Sequence, residues 1–176
     1  MKARLISYSQ SPTMNIGDLY VPEGIHELVA YCARVSNPSN QESTATTEKL
    51  LSYLAREKHW SPFEMVSACL EIETTRDIAR QILRHRSFSF QEFSQRYADP
   101  KDQGDMFEYS EARLQDPKNR QNSVAVENVE LHHQWIDAQE EVAALAKQKY
   151  DWAIKNGIAK ELARKVLPEG NTKTTL

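Results

Sequence analysis

Residues 84–96 read Arg-His-Arg-Ser-Phe-Ser-Phe-Gln-Glu-Phe-Ser-Gln-Arg, a run that combines three arginines and a histidine with closely spaced hydroxyl and amide groups. Its arginines stay charged near neutral pH, and each guanidinium presents a planar fork of donors that matches paired phosphate oxygens. The alternative is a solvated, salt-bridged turn, because most charged runs are simply exposed. The phenylalanines interleaved with the cations argue against that alternative, since a merely solvated turn has no need of aromatic rings. The run therefore predicts a binding site for an anion.

Composition limits the class of partner. The 176 residues carry a net charge of -3, so the positive charge is local to this run and does not indicate a general nucleic-acid binder. The length fits a single domain over residues 1–176. No apolar run is long enough for a membrane helix, and we expect neither a signal peptide nor a membrane span.

The cysteines indicate the redox environment. Cys32 and Cys69 lie far apart and have no metal-ligand spacing, so we expect neither a disulfide framework nor a metal site. We interpret both as small buried residues, and we expect a cytoplasmic location.

Hydrophobic spacing predicts a mixture of helices and strands. Strand patterns cover residues 5–8, 65–73 and 106–109, and helical patterns cover residues 25–34, 44–58, 74–84, 129–156 and 159–167. Asn128 is expected to cap the longest helix and Gly157 to end it. Residues 116–122 are polar and are expected to be poorly ordered. The fold class is therefore α+β.

Two elements have a predicted core face. In the strand at 65–73, the residues expected to face the core are Val66, Ala68, Leu70 and Ile72. In the longest helix, the predicted core residues are Leu131, Trp135, Ala138, Val142, Leu145 and Trp152.

The run at 84–96 also matches a known signature. Arg-His-Arg at 84–86, seven residues, Ser94 and then Gln-Arg-Tyr closely resembles the motif of the flavin-dependent thymidylate synthases. The resemblance continues in the family's order through residues 33–36, 59–64, 79–81 and 161–168, and so covers most of the chain. One departure is Gln91, where the family often has asparagine.

The resemblance implies an activity, a fold and an assembly. The implied reaction is reductive methylation of dUMP to dTMP, with methylenetetrahydrofolate as carbon donor and FAD reduced by NADPH. The implied fold has mixed helices and a small, mostly antiparallel sheet, in a homotetramer whose active sites lie between subunits. No nucleic acid or membrane partner is implied.

The resemblance also implies roles for single residues. Those expected at the flavin are His59, Ser61, Arg84, His85, Arg86 and Glu92, with His59 also near the folate pocket. Those expected at dUMP are Gln81, Arg84, Glu92, Phe93, Ser94, Gln95, Arg96 and Arg164. Of these, Ser94, Gln95 and Arg96 are expected to grip the nucleotide phosphate of a neighbouring subunit.

The family continues past the Leu-Pro element at 167–168 with another strand and helix, which carry an arginine that activates dUMP. That arginine would lie beyond Leu176, so we expect a chain that is C-terminally truncated relative to the family and assign no catalytic residue. Two alternatives stay open. One is an inactive or truncated member that binds only FAD and dUMP. The other is a non-catalytic nucleotide- or RNA-binding module that uses the same arginines with aromatic stacking.

Overall fold

The computed structural model describes residues 1–12 and 20–176 and has the predicted α+β composition. Its strands are β1 (Lys2–Tyr8), β2 (Ala68–Thr75), β3 (Arg113–Gln115), β4 (Ser123–Ala125) and β5 (Lys173–Thr175). Its α-helices are α1 (Ile25–Ala33), α2 (Thr47–Arg56), α3 (Arg76–Ile82), α4 (Val129–Lys155) and α5 (Lys160–Ala163). Two compact units are present: Arg4–Leu70, which we name the N-terminal unit, and Met1–Ala3 with Glu71–Leu176, which we name the C-terminal unit. A single domain over residues 1–176 stays a prediction.

The N-terminal unit is built on α1 and α2, whose ends fall within three residues of the predicted ones. Val29 of α1 and Leu54 of α2 are buried. Arg34 follows α1 and is only 7% exposed. Its guanidinium donates to the carbonyl of Ser43 and, at 2.9 Å, to Oγ1 of Thr46. A buried arginine therefore fixes the loop between the two helices.

β2 is the central strand of a three-stranded sheet with the order β1-β2-β5. β5 is antiparallel to β2, and Thr74 lies opposite Thr174 in their register. The predicted strand at 65–73 needs two corrections. A 3-10 helix, Ser61–Met65, occupies its start, so the strand begins only at Ala68. Leu70 on the expected core face is 51% exposed, because no segment of the described residues covers it.

Two smaller predictions also fail. Cys32 is half-buried, but Cys69 is exposed, because it lies on a strand whose faces are largely open. The strand expected at 106–109 is reduced to one antiparallel bridge between Phe107 and Thr172.

α4 begins and ends where local signals predict. Oδ1 of Asn128 accepts a hydrogen bond from the backbone N–H of Leu131 at 3.0 Å, which satisfies one of the free donors at the helix start. Gly157 follows the helix with a φ of 77°, a left-handed conformation that favours glycine. Within residues 1–12 and 20–176, no helix combines the length and the apolar content needed to cross a membrane.

The prediction of which α4 face forms the core is wrong. Its residues, which we call the α4 stripe, are all exposed: Leu131, Trp135, Ala138, Val142, Leu145 and Trp152. The buried face lies about a quarter-turn away and consists of Gln139, Ala143, Ala146, Tyr150 and Ala153. The core cluster of this unit joins Tyr150 and Ala153 to Met106, Ala163 and Leu167. Small alanines let the backbone of α4 approach its neighbours closely, and the larger side chains are left on the open face.

The region predicted to be poorly ordered instead forms the turn of a hairpin. β3 pairs antiparallel with β4, with Leu114 opposite Val124. The carboxylate of Asp116 accepts from the backbone N–H groups of Lys118 and Asn119 at 2.8 and 3.1 Å. A polar sequence therefore holds the turn through side-chain to backbone bonds.

Candidate functional site

α3 delivers the start of the arginine-rich loop. Thr75 precedes the helix, and its hydroxyl donates to the carboxylate of Asp77 at 2.5 Å. Helical bonding stops early, at Ile82, although the backbone N–H of Arg84 still donates to the carbonyl of Gln81 at 3.2 Å. Gln81 therefore lies in the last turn, as predicted, and Arg84 lies just beyond it.

The first half of the loop presents cations to solvent. Arg84 and Arg86 are exposed, and neither forms an ion pair with any residue in the described part of the chain. Residues 85–89 turn tightly, with the backbone N–H of Phe88 donating to the carbonyl of His85 at 3.3 Å. Guanidinium groups without protein partners keep their donors available for an anionic ligand.

Aromatic rings pack against one another within this half. The imidazole of His85 stacks on the ring of Phe88, with centroids 4.0 Å apart and planes 10° from parallel. Phe90 meets Phe88 edge-on, at 6.1 Å and 70°. Phe88 nevertheless remains 59% exposed. The stack therefore leaves a ring face or edge open for contact with a planar group.

The second half of the loop is tied to the sheet. The backbone N–H of Phe93 donates to the carbonyl of Thr175 in β5 at 2.8 Å. The carboxylate of Glu92 lies 3.1 Å from Nη1 of Arg76 and accepts from the hydroxyl of Thr174 at 3.2 Å. This half is consequently fixed in the chain, whereas the first half is held mainly by its own turn.

At the end of the loop, neighbouring residues of the motif differ in exposure. Ser94 and Arg96 are exposed, but Gln95 between them is only 2% exposed. Nε2 of Gln95 finds no acceptor among residues 1–12 and 20–176. Arg96 lies 3.9 Å from the carboxylate of Glu161, and Arg164 donates to the backbone carbonyl of the same residue at 3.4 Å. Arg96 and Arg164 thus both contact Glu161, through its side chain and its backbone respectively.

Sequence reasoning missed an ion-pair network behind the loop. Glu169 accepts from Arg80 twice, at 2.5 and 3.0 Å, and lies 3.5 Å from Nε of Arg76. Arg76, only 5% exposed, therefore bridges Glu169 and Glu92. The Arg80 hydrogen bonds hold the pKa of Glu169 below its ordinary value, although burial opposes them. In the sequence, the signal that could have indicated this network was the position of Arg76 at the strand-to-helix junction.

Two predicted flavin residues belong to the N-terminal unit. His59 follows the left-handed Lys58, and its backbone N–H donates to the carbonyl of Leu54 at 2.8 Å. Its ring meets Tyr53 edge-on at 6.1 Å. Ser61 starts the following 3-10 helix. Both side chains are exposed, so they are available to a ligand.

A separate cavity of about 550 Å³ in the C-terminal unit contains none of the predicted site residues. Charges of both signs line it, including an ion pair between the N-terminal ammonium and Glu108 at 3.2 Å. The candidate site is therefore the exposed loop and its supports rather than this cavity.

An α+β scaffold that presents unpaired guanidiniums and aromatic rings beside a fixed carboxylate offers the groups that anionic, ring-containing ligands require. Comparisons with known proteins narrow the class of protein. The thymidylate synthase complementing protein family matches residues 20–176. A flavin-dependent thymidylate synthase from Synechocystis sp. is 50% identical over 176 residues, covering 100% of this chain and 77% of the relative. A probable flavin-dependent thymidylate synthase from Paramecium bursaria Chlorella virus 1 is 45% identical over 179 residues, with the same coverage of both chains.

A solved structure agrees at the level of the fold. The UMP/dUMP methylase PolB from Streptomyces cacaoi, bound with 5-Br dUMP, superposes with a TM-score of 0.73 at 24% identity. The match covers 99% of this chain and 70% of that one. The chain belongs to the flavin-dependent thymidylate synthase family.

Proposed function

We propose that the protein methylates dUMP to dTMP, with methylenetetrahydrofolate as carbon donor, FAD as the flavin and NADPH as its reductant. Family membership supports this reaction class, as does the dUMP analogue held by the Streptomyces cacaoi methylase. The observation that carries the proposal is the loop itself, in which the unpaired Arg84 and Arg86 lie a few residues from the anchored Glu92.

The residues present fit FAD. Its diphosphate matches the free guanidiniums of Arg84 and Arg86, which have no competing carboxylate among the described residues. Its ring system suits the exposed stack at Phe88, and its hydroxyl or ring N–H donors suit the carboxylate of Glu92. When bound, the flavin supplies hydride chemistry, while the chain contributes position and charge.

The proposed roles follow the family resemblance. At FAD we place His59, Ser61, Arg84, His85, Arg86 and Glu92. At dUMP we place Gln81, Arg84, Glu92, Phe93, Ser94, Gln95, Arg96 and Arg164. Arg96 supports the phosphate assignment because its guanidinium lies 3.9 Å from the carboxylate of Glu161, an anion that a phosphate would replace as its partner. Arg164 donates to the backbone carbonyl of the same residue at 3.4 Å. Guanidiniums near the pyrimidine stabilise negative charge that develops during its activation.

A homotetramer with shared active sites is part of the proposal. The α4 stripe supports it, because apolar side chains recur there at the alternating spacing of four and three residues that joins helices in coiled coils. A cytoplasmic location is also part of the proposal, and it fits the low cysteine content of two in 176 residues.

Ligand titration tests the function first. Arg84→Ala or Arg96→Ala should weaken FAD or dUMP binding by about 2 to 4 kcal/mol, roughly 30- to 1,000-fold in Kd, because each leaves a desolvated anion unpaired. Arg120→Ala is the matched control, since Arg120 is an exposed arginine in the β3–β4 turn and has no proposed role. Unchanged affinities in both site variants would contradict the assignment.

Release of tritium from C5 of labelled dUMP, with folate, FAD and NADPH present, tests turnover. Binding of both ligands without release would indicate an inactive member. Salt-sensitive oligonucleotide binding with no affinity for FAD would instead indicate the nucleic-acid-binding alternative.

A further inference from the structure

Within residues 1–12 and 20–176, the hydrogen bond and the ion pair of Glu92 both fall on one of its two carboxylate oxygens. Nη1 of Arg76 lies 3.1 Å from Oε1, and the hydroxyl of Thr174 donates to the same Oε1 at 3.2 Å. Oε2 accepts no hydrogen bond from any residue in the ranges 1–12 and 20–176. The side chain of Glu92 is 21% exposed, so it is not sealed from solvent.

Both groups that hold Oε1 are immobile. Arg76 opens α3 and is 5% exposed, and Thr174 is the middle residue of β5 and is 1% exposed. Thr174 is also fixed by its register opposite Thr74 in β2. Because Arg76 and Thr174 belong to regular elements, their ion pair and hydrogen bond restrain the Glu92 carboxylate.

Arg76 performs a task that a lysine could not. Its Nη1 reaches Glu92 while its Nε lies 3.5 Å from Glu169, so two edges of one planar group hold two carboxylates. Arg80 satisfies Glu169 independently through two hydrogen bonds, which leaves Nη1 of Arg76 committed to Glu92.

We propose that Arg76 and Thr174 are positioning residues that hold Oε1 of Glu92 so that its Oε2 accepts a hydrogen bond from an O–H or N–H group of the bound nucleotide. This inference rests on the proposed function, in which Glu92 contacts FAD or dUMP. Both ligands carry suitable donors, in hydroxyls and in a ring N–H. Separate titrations with FAD and with dUMP identify which ligand uses the contact.

Thr174→Val gives the cleanest test. Valine keeps the shape and strand preference of threonine and removes only the hydroxyl. The dissociation constant of the ligand that contacts Glu92 should rise about 5- to 20-fold, because the carboxylate loses its hydrogen bond and keeps only the ion pair with Arg76. Thr174→Ser retains the hydroxyl and should bind like the wild type.

Thr172→Val is the matched control. Thr172 is 0% exposed, and its hydroxyl donates to the carbonyl of Pro168 at 2.6 Å, away from Glu92. This variant should lower the thermal midpoint to a similar degree as Thr174→Val and leave both dissociation constants within about twofold of the wild type. Lost affinity in Thr174→Val alone therefore reports positioning rather than general loosening.

A double-mutant cycle shows whether Thr174 acts through Glu92. In the Glu92→Ala background, adding Thr174→Val should change affinity by less than about twofold. Equal losses from Thr174→Val in both backgrounds, or equal losses from Thr172→Val and Thr174→Val, would overturn the inference and leave the proposed function standing. If Glu92→Ala alters neither affinity, or the wild type binds neither ligand, the proposed role of the loop fails and the inference fails with it.

Discussion

Leu145→Lys should prevent the chain from forming the proposed homotetramer. The α4 stripe repeats at coiled-coil spacing, and Leu145 lies near its centre with 56% of the residue exposed. In a homo-oligomer joined through this face, residue 145 would be buried among leucine, valine and tryptophan side chains. A lysine there would bring an ammonium group into an apolar seam.

The expected effect is large. Trp135 and Trp152 are 46% and 59% exposed. A tryptophan side chain presents on the order of 250 Å², so these two leave on the order of 250 Å² of mostly apolar surface uncovered. Burying that area at about 25 cal/mol per Å² contributes about 6 kcal/mol per chain. An unpaired buried ammonium costs on the order of 3 kcal/mol, which raises the dissociation constant about 100-fold.

Sedimentation velocity across the micromolar range measures the assembly. We expect a tetramer for the wild type and smaller species for Leu145→Lys, with an unchanged far-ultraviolet circular dichroism spectrum. Ala144→Lys adds the same charge one residue away, at an exposed position off the α4 stripe, and should remain tetrameric. A monomeric wild type, or equal masses for all three proteins, would refute the assignment of this face.

Three further predictions concern stability. Asn128→Ala removes the acceptor for the N–H of Leu131 and should lower the free energy of unfolding by about 1 kcal/mol in denaturant titrations. Gly157→Ala should cost about 1 kcal/mol in the same assay, from backbone strain alone, since a Cβ there would meet nothing within 4 Å; an unchanged midpoint would exclude that strain. Because Arg80 lowers the pKa of Glu169 in the folded state, the pair stabilises above the ordinary value of 4.5, and this contribution is lost as pH falls through the lowered pKa. Thermal unfolding of Glu169→Gln should accordingly show a weaker loss of stability in acid than the wild type, and parallel profiles would contradict this.

Helix boundaries could be predicted from the sequence because their causes are local. Asn128 and Gly157 act on backbone groups within a few residues of themselves, so their chemistry is visible in the sequence. The β3–β4 hairpin is also local, but its turn depends on the geometry of the Asp116 side chain rather than on hydrophobic alternation. Polarity alone therefore predicted poor order for residues 116–122. The hydrogen bonds that the Asp116 side chain accepts from the backbone are not visible in that pattern.

The faces of α4 could not be distinguished by spacing. The exposed and buried stripes follow the same alternation of four and three residues, shifted by one position. Choosing the stripe with larger side chains is reasonable, because larger side chains gain more from burial. Within one chain, however, close packing against the residues around Met106 and Leu167 favours alanines on α4. Large side chains such as Trp152 are left exposed, on the face through which we propose the homotetramer assembles.

The loop residues were identifiable from the motif, but their supports were not. Arg76 and Glu169 are 93 residues apart, and Thr174 and Glu92 are 82 apart. Their proximity follows from the pairing of β2 with β5, and no local pattern encodes that pairing. Long-range strand pairing therefore brings the supporting residues next to the motif.

The two halves of the loop have different physical roles. An exposed guanidinium such as Arg84 or Arg86 is hydrated in the free protein, so leaving it unpaired costs little until a ligand arrives. Glu92 is partly buried, and a buried carboxylate without donors would destabilise the chain. The fold therefore places Arg76 and Thr174 beside Glu92, whereas the two arginines have no ion-pair partner among the described residues. In the proposed site, a ligand would gain affinity from the free cations and orientation from the fixed carboxylate, so the network behind Glu92 belongs to that proposal together with the motif.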